Sequence, residues 1–302
     1  VPKDIRRKRR LFTKVSGAIQ MKIGFIGQGW IGKNYADDFE DRGYKVVRYD
    51  LEKYKMNKSK IKTCDIVFIA IPTPSTIKKG QDYVDVDINE TLFKVVRDDT
   101  KDGQIIVIKS TVMPGTTETL QDAFPHKYII HSPEFLTEKT ARYDVSNPSM
   151  NIVGYTTKSK CKAGDVMKIL PCAPYEKMVD SNHSEMLKYM INCWFYMKVL
   201  TMNTFYDVAK AKGLDYNELI DMMGADKRVG RTHLVAEHQG GRGAGGHCFI
   251  KDFAAYRSLY GKNVRNKFFG DQLLHSAEEY NKYLLDTSGK DKELLEGVYI
   301  SK

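Results

Sequence analysis

The stretch Lys22-Ile23-Gly24-Phe25-Ile26-Gly27-Gln28-Gly29-Trp30-Ile31-Gly32 runs a strand-length apolar segment straight into a Gly-x-Gly-x-x-Gly turn. From Gly32 to Arg42 the pattern is helical, and Gly43 ends it. Strand, turn and helix in that order suit a dinucleotide. The glycines permit a tight turn and a close backbone approach to pyrophosphate, and the helix start offers unpaired N–H groups and a positive dipole end. Asp50 closes the next strand-like run, Lys45–Tyr49, where a carboxylate can accept both ribose hydroxyls. An acid there disfavours a 2′-phosphate, so NAD is expected over NADP, although Arg48 stands close by. Gly27, Gln28, Gly29, Trp30, Ile31, Gly32 and Asp50 are the expected cofactor-binding residues.

Outward from this unit, short apolar runs recur between helical segments: Ile66–Ile71, Gln104–Lys109, Tyr128–His131 and Met150–Val153. That alternation predicts an α/β fold, a Rossmann-type doubly wound parallel sheet over residues 21–180. A mainly helical region over 181–280 follows, then a tail over 281–302. Asn182 to Lys212 contains neither proline nor glycine and reads as one long helix of about 45 Å at 1.5 Å per residue. Asn182 and Glu185 are spaced as a capping box, and Gly213 is a natural stop. The helix is apolar on several sides, which predicts burial at a homodimer interface. A shorter helix from Tyr216 to Met223 and a glycine-rich loop over 240–246 come after it.

The 302 residues suit one large or two ordinary domains, and 42% hydrophobic with 28% charged residues is a globular balance. The longest apolar run, Ile66 to Ile71, has six residues against roughly 18 needed to span a bilayer, so no membrane span is expected. The formal charge of +10 is concentrated at the start. Residues 1–20 carry seven Lys/Arg and one Asp, a net +6, which leaves +4 for everything after them. They are read as a leader outside the fold, and nucleic-acid binding is not expected of the remainder. Five cysteines form neither a CxxC pair nor a zinc spacing, so no metal site is expected and a reducing, cytoplasmic compartment is.

A Rossmann unit does not name a reaction. Five further segments do more: Pro72-Thr73-Pro74; Ser110-Thr-Val-Met-Pro-Gly-Thr116; Ser132-Pro-Glu-Phe-Leu136 with Glu138, Asp144 and Asn147-Pro148; Lys188 with Asn192; and Gly243-Ala-Gly-Gly-His-Cys248-Phe-Ile-Lys251-Asp252. In this order they resemble the UDP-glucose/GDP-mannose dehydrogenase family from about Met21 to Tyr280. The resemblance implies oxidation of a sugar's primary alcohol to a carboxylate with two NAD in succession, as UDP-glucose to UDP-glucuronate. GDP-mannose or UDP-N-acetylmannosamine are alternative substrates, and a non-catalytic NAD-binding subunit is the alternative outside enzymes.

The resemblance assigns the covalent step to Cys248, whose glycine-rich approach and neighbouring Lys251 predict a setting that favours thiolate. Lys188 and Asn192, four apart on one helix face, would steady the developing oxyanion. Glu134 would act as base or water-activating carboxylate, with Asp252 orienting Lys188 or aiding hydrolysis and Thr111 positioning water or cofactor. Pro72, Thr73, Thr111 and Glu138 join the cofactor set. The substrate set adds Phe135, Leu136, Arg228, Arg231, Gly243, Gly245 and Lys251. The sequence departs from the family pattern at Ala244, His247, Ile250 and Thr204, and in the short stretch from Asp50 to Ile66. About 22 residues follow Tyr280, fewer than the family's third domain needs.

Overall fold

A computed structural model describes residues 21–73, 76–77, 84–85 and 89–299; the leader lies outside them. The first unit runs β1 (Lys22–Ile26), α1 (Trp30–Asp41), β2 (Lys45–Tyr49), a short α2 (Lys58–Ile61) and β3 (Ile66–Ile69). A ribbon of β4 (Thr76–Ile77) and β5 (Val84–Asp85) precedes α3 (Asn89–Asp99). Then come β6 (Ile105–Ile108), α4 (Thr116–Ala123), β7 (Tyr128–His131), α5 (Ala141–Ser146), β8 (Asn151–Tyr155), α6 (Lys160–Ile169) and β9 (Glu176–Asp180).

Seven strands form one sheet in the order β2-β1-β3-β6-β7-β8-β9. Pairing is parallel except between β7 and β8, so the expected all-parallel sheet turns once near its edge. The two-residue period distributes the strand side chains between two cores. Ile23, Phe25, Ile66, Phe68, Ile105 and Val107 face one, where Phe25 stacks on Phe68 at 5.0 Å. Ile26, Val67, Ile69, Ile106 and Ile108 face the other with Leu92 and Leu120. Helices on both faces explain why these strands read as unbroken apolar runs. The chain reverses its winding direction between β1 and β3, and ligands of open α/β sheets bind at the carboxyl ends beside such a switch. The turn after β1, Pro72-Thr73 after β3, Thr111 after β6 and Glu134 after β7 all lie at that edge.

The helical region begins with α7 (Ser181–Ala211), 31 residues, followed by α8 (Tyr216–Ala225). A small ribbon of β10 (Glu237–His238) and β11 (Gly241–Arg242) leads into α9 (Gly246–Asn263), α10 (Phe268–Ser288) and α11 (Lys292–Tyr299). Tyr196 of α7 stacks on Phe253 of α9 at 3.8 Å, at the centre of a core shared with Leu200, Leu274, Ala277 and Leu284.

Two local expectations are corrected. The capping box at the start of α7 does not form: Asp180 is the N-cap, accepting the Asn182 N–H, and Glu185 is turned instead toward α4. The segment after Tyr280 is not a loose tail within the described residues. Leu284 and Leu285 are fully buried in α10, and Val298 of α11 packs with Ile250 and Ala254 of α9. Among the described residues no helix is long and apolar enough to cross a membrane.

Candidate functional site

The dinucleotide turn is shaped by what cannot fit in it. Gly27 has φ +88°, and a Cβ there would lie 2.3 Å from the Ala70 carbonyl oxygen; one on Gly32 would lie 2.0 Å from that of Gly27. A Cβ on Gly29 would meet nothing within 4 Å, so the turn is open on the side a pyrophosphate would take. No side chain caps the N-terminus of α1, which leaves its first N–H groups available to an anion. Trp30 stands exposed on the first turn. At the end of β2, Asp50 accepts the N–H groups of Gln28 (3.1 Å) and Glu52 (2.9 Å). The Glu52 bond leads the effects that hold its carboxyl below the ordinary range. Arg48 is engaged elsewhere, bound to Asp37 (2.6 Å) and Glu40 (2.7 Å), so it is not left as a free cation for a 2′-phosphate. These residues fit NAD.

Facing that edge, a polar cluster lies where α7 crosses the sheet and α9 begins. Lys188 is buried and donates to the Glu134 carbonyl oxygen (2.7 Å) and to Glu134 Oε1 (3.0 Å). Burial opposes its charge, but Glu134, Cys248 and Asp252 outweigh burial and raise its pKa. Asn192, one turn further along α7, donates to Asp252 Oδ2 (2.6 Å). Lys251 donates to the other carboxylate oxygen of Asp252 (2.5 Å). Glu134 Oε2 accepts the Leu136 N–H (2.7 Å), and the Phe135 ring centre is 5.6 Å from Lys188 Nζ.

Cys248 stands on the first turn of α9, four residues before Asp252 and so on the same helix face. The residue as a whole is exposed, yet its thiol end is hemmed in. Desolvation first, then the Asp252 carboxylate, push the thiol up to about 11 against the pull of Lys188 and Lys251. Burial and the Asp252 carboxylate thus oppose the thiolate-favouring niche expected from the sequence. The cations are in place, but burial and a carboxylate prevail over them.

The cluster joins Glu134, Lys188, Asn192, Cys248, Lys251 and Asp252. Thr111 and Thr73 are buried at the sheet edge, while Pro72 and Glu138 are exposed there. Gly243 and Gly245 lie in the loop entering α9. Arg228 and Arg231 are not brought into the cluster: each forms a surface ion pair, with Asp226 and Asp221 respectively.

Two buried titratable groups beside the cluster were missed by sequence reasoning. Lys109 ends the β6 run, lies over the Tyr35 ring at 4.2 Å, and donates to Ser132 Oγ (3.2 Å). Burial pushes its pKa down to about 7, with Glu134 acting the other way and Lys188 adding to the fall. A lysine directly after four buried strand residues was the available signal. Glu185 of α7 accepts Gly115 N (2.7 Å), Thr117 N (2.8 Å) and Thr117 Oγ1 (2.5 Å), so it caps α4 from another element. It therefore ties the loop carrying Thr111 to the helix carrying Lys188.

Comparison with known proteins finds matches over both the sheet and the helical region. Residues 53–170 match the model of the NAD binding domain of the UDP-glucose/GDP-mannose dehydrogenase family, and residues 182–283 match its central domain. The first match begins after Asp50, so the dinucleotide turn stands on its own geometry. The UDP-glucose 6-dehydrogenase TuaD of Bacillus subtilis is 28% identical over 276 residues, covering 78% of this chain and 58% of that protein. A GDP-mannose 6-dehydrogenase of Pseudomonas syringae pv. syringae is 29% identical over 287 residues, covering 78% and 63%. The chain thus spans about three fifths of the length of these two relatives. A solved UDP-glucose dehydrogenase from Pyrobaculum islandicum shares the fold with a TM-score of 0.72 at 23% identity, covering 91% of this chain and 72% of that one.

Proposed function

From the premise that this chain belongs to the UDP-glucose/GDP-mannose dehydrogenase family, we propose that it oxidises the primary alcohol of a nucleotide sugar to a carboxylate, UDP-glucose to UDP-glucuronate. The observation that carries this is the convergence of Lys188, Asn192, Glu134, Asp252 and Cys248, with Glu134 at the same carboxyl edge of the sheet as the dinucleotide turn.

NAD, when bound, supplies the acceptor for the hydride at each of the two oxidations. The chain's own groups handle the proton and the oxyanion. Lys188 has three N–H bonds and commits two to Glu134; Asn192 has two and commits one to Asp252. One N–H of each remains for the substrate oxygen, among the described residues, and aimed donors of this kind stabilise developing negative charge. The hydroxyl proton leaves to water held by Glu134. Cys248 Sγ then bonds to the aldehyde carbon as the C=O π bond opens and the thiol proton passes to that oxygen, giving a thiohemiacetal; loss of a second hydride from its carbon and of its hydroxyl proton to water at Glu134 yields a thioester. Water activated by Glu134 adds to the thioester carbon, the C–S bond breaks, and the carboxylate leaves with the thiol restored.

The identities to UDP-glucose and GDP-mannose enzymes are nearly equal, so the base and sugar rest on assay. A panel of UDP-glucose, GDP-mannose and UDP-N-acetylmannosamine, followed by NADH absorbance, should favour UDP-glucose. Mass spectrometry of the enzyme with substrate and NAD should find the sugar-nucleotide adduct on the Cys248 peptide. Adduct on another cysteine, or full turnover by Cys248→Ser, refutes the covalent route. We further infer a homodimer built on α7 and, from five free cysteines, a cytoplasmic setting.

A further inference from the structure

The loop that delivers Cys248 is made of glycine and alanine: Gly243-Ala244-Gly245-Gly246. Gly243 and Gly246 have φ of +91° and +79°, and such a loop has few side chains with which to fix its own shape. Its shape is held from outside, by residues 281–291. Asn281 of α10 pairs with both backbone groups of Ala244, accepting its N–H (2.7 Å) and donating to its carbonyl (3.0 Å). Gly289 (φ +72°) ends α10 and turns the chain back across the loop. There the buried Lys290 donates to the Gly243 carbonyl (2.9 Å), and Asp291 Oδ2 accepts the Gly246 N–H (2.7 Å). Asp291 does so from a left-handed backbone, φ +53°. A Cβ on Gly245 would lie 1.9 Å from the same carboxylate oxygen, so a side chain at that position would push the Asp291 carboxylate away from the loop.

We propose that Asn281, Lys290 and Asp291 are positioning residues for Cys248: the chain after Tyr280 is a clamp that sets where the first turn of α9 holds the thiol. The Asp291 bond falls on Gly246, two residues before Cys248, and satisfies an N–H that helix geometry leaves without an internal partner. A carboxylate at a helix N-terminus is also favoured by the dipole. Asp291 touches none of the expected reacting groups; it acts through the loop. The catalytic consequence rests on the proposed covalent route, where a misplacement of about 1 Å can cost on the order of a hundredfold in rate.

The test needs no substrate. Iodoacetamide labelling of the whole 302-residue chain is followed peptide by peptide, since Cys161 and Cys172 are exposed as well. Asp291→Ala frees the loop, and Cys248 labelling should rise by about fivefold, with its pH profile moving to lower pH as the thiol leaves its crowded position. Asp291→Asn keeps an oxygen that can accept the Gly246 N–H and should restore the wild-type rate and profile. Lys290→Met, which loses the Gly243 bond but keeps the stem, should behave like Asp291→Ala. Buried Cys64 and Cys193 should stay protected throughout. The proposal is overturned if Asp291→Ala and Lys290→Met label Cys248 within about twofold of wild type, if Asp291→Asn behaves like Asp291→Ala, or if Cys64 and Cys193 become labelled, which signals general loosening. Altered labelling in a chain that produces no NADH from any sugar nucleotide would instead sink the dehydrogenase function and leave the clamp standing.

Discussion

Cys248 is the residue on which opposing fields meet, and its two lysines do not win. With desolvation and Asp252 pushing the thiol up to about 11, alkylation of the free enzyme should climb about tenfold per pH unit from 7 to 10 without a plateau. A plateau near pH 7 would show that the thiol ionises far more readily than this packing allows. Lys188→Ala removes a cation that lowers the thiol's pKa, so labelling at a given pH should slow further. The same substitution removes an oxyanion donor, and both oxidations should fall by about 10²–10³ in rate. At the cofactor end, Arg48 is held by Asp37 and Glu40, which leaves Asp50 as the residue proposed to meet the ribose. Asp50→Ala should therefore narrow the preference for NAD over NADP, as measured by kcat/KM with each; equal use of both by the unmutated chain contradicts that assignment.

At the scale of elements, α7 serves two surfaces with one helix. Its inner face carries Lys188, Asn192 and Tyr196, while Met190, Trp194, Phe205 and Val208 fall on one exposed stripe. Trp194→Glu should turn the expected dimer into a monomer by light scattering, whereas a wild-type monomer at micromolar concentration would remove the dimer proposal. Glu185, one turn before Lys188, has a sign that can be tested. Desolvation, opposed by the Thr117 and Gly115 bonds, pushes its pKa up to about 7 from 4.5. Its proton is then held more tightly in the folded state. The associated stability is complete below about pH 4.5 and is lost as pH rises through about 7. Urea unfolding should show wild type losing stability relative to Glu185→Gln between pH 5 and 7.5, and a constant gap would count against the raised pKa. Glu185 also shows where sequence reasoning stops. Its spacing from Asn182 suggests a local cap, but its partners are nearly seventy residues away on α4, and only tertiary packing brings them together. The strand–turn–helix of residues 22–41 was legible because its signals are contiguous. β9 was not, because Glu176-Lys-Met-Val-Asp180 is a partly exposed edge strand with no apolar run to mark it. The niche of Cys248 was misjudged because adjacency to Lys251 is visible in sequence, whereas burial is not.

Across the whole molecule, the cofactor turn belongs to the sheet and the thiol to the helical region, so the two proposed oxidations would ask different things of the same edge. The first would need the oxyanion donors, Glu134 for the hydroxyl proton and the cofactor cradle. The second needs Cys248 as well, reached through a loop that residues 281–291 hold. A chain in which both work should release NADH and sugar acid in a ratio of about two to one, because each alcohol gives up two hydrides on its way to the carboxylate. Cys248→Ser should keep the first transfer and lose the second, since an unactivated hydroxyl adds poorly to an aldehyde. In that variant a carbonyl-trapping reagent such as hydroxylamine should collect one aldehyde per NADH, while wild type yields almost none. One free aldehyde per NADH in wild type, with no sugar acid formed, would mean that the thiol stays protonated and idle with substrate bound. The cluster would then act as a single-step alcohol dehydrogenase, whatever chemistry its relatives perform.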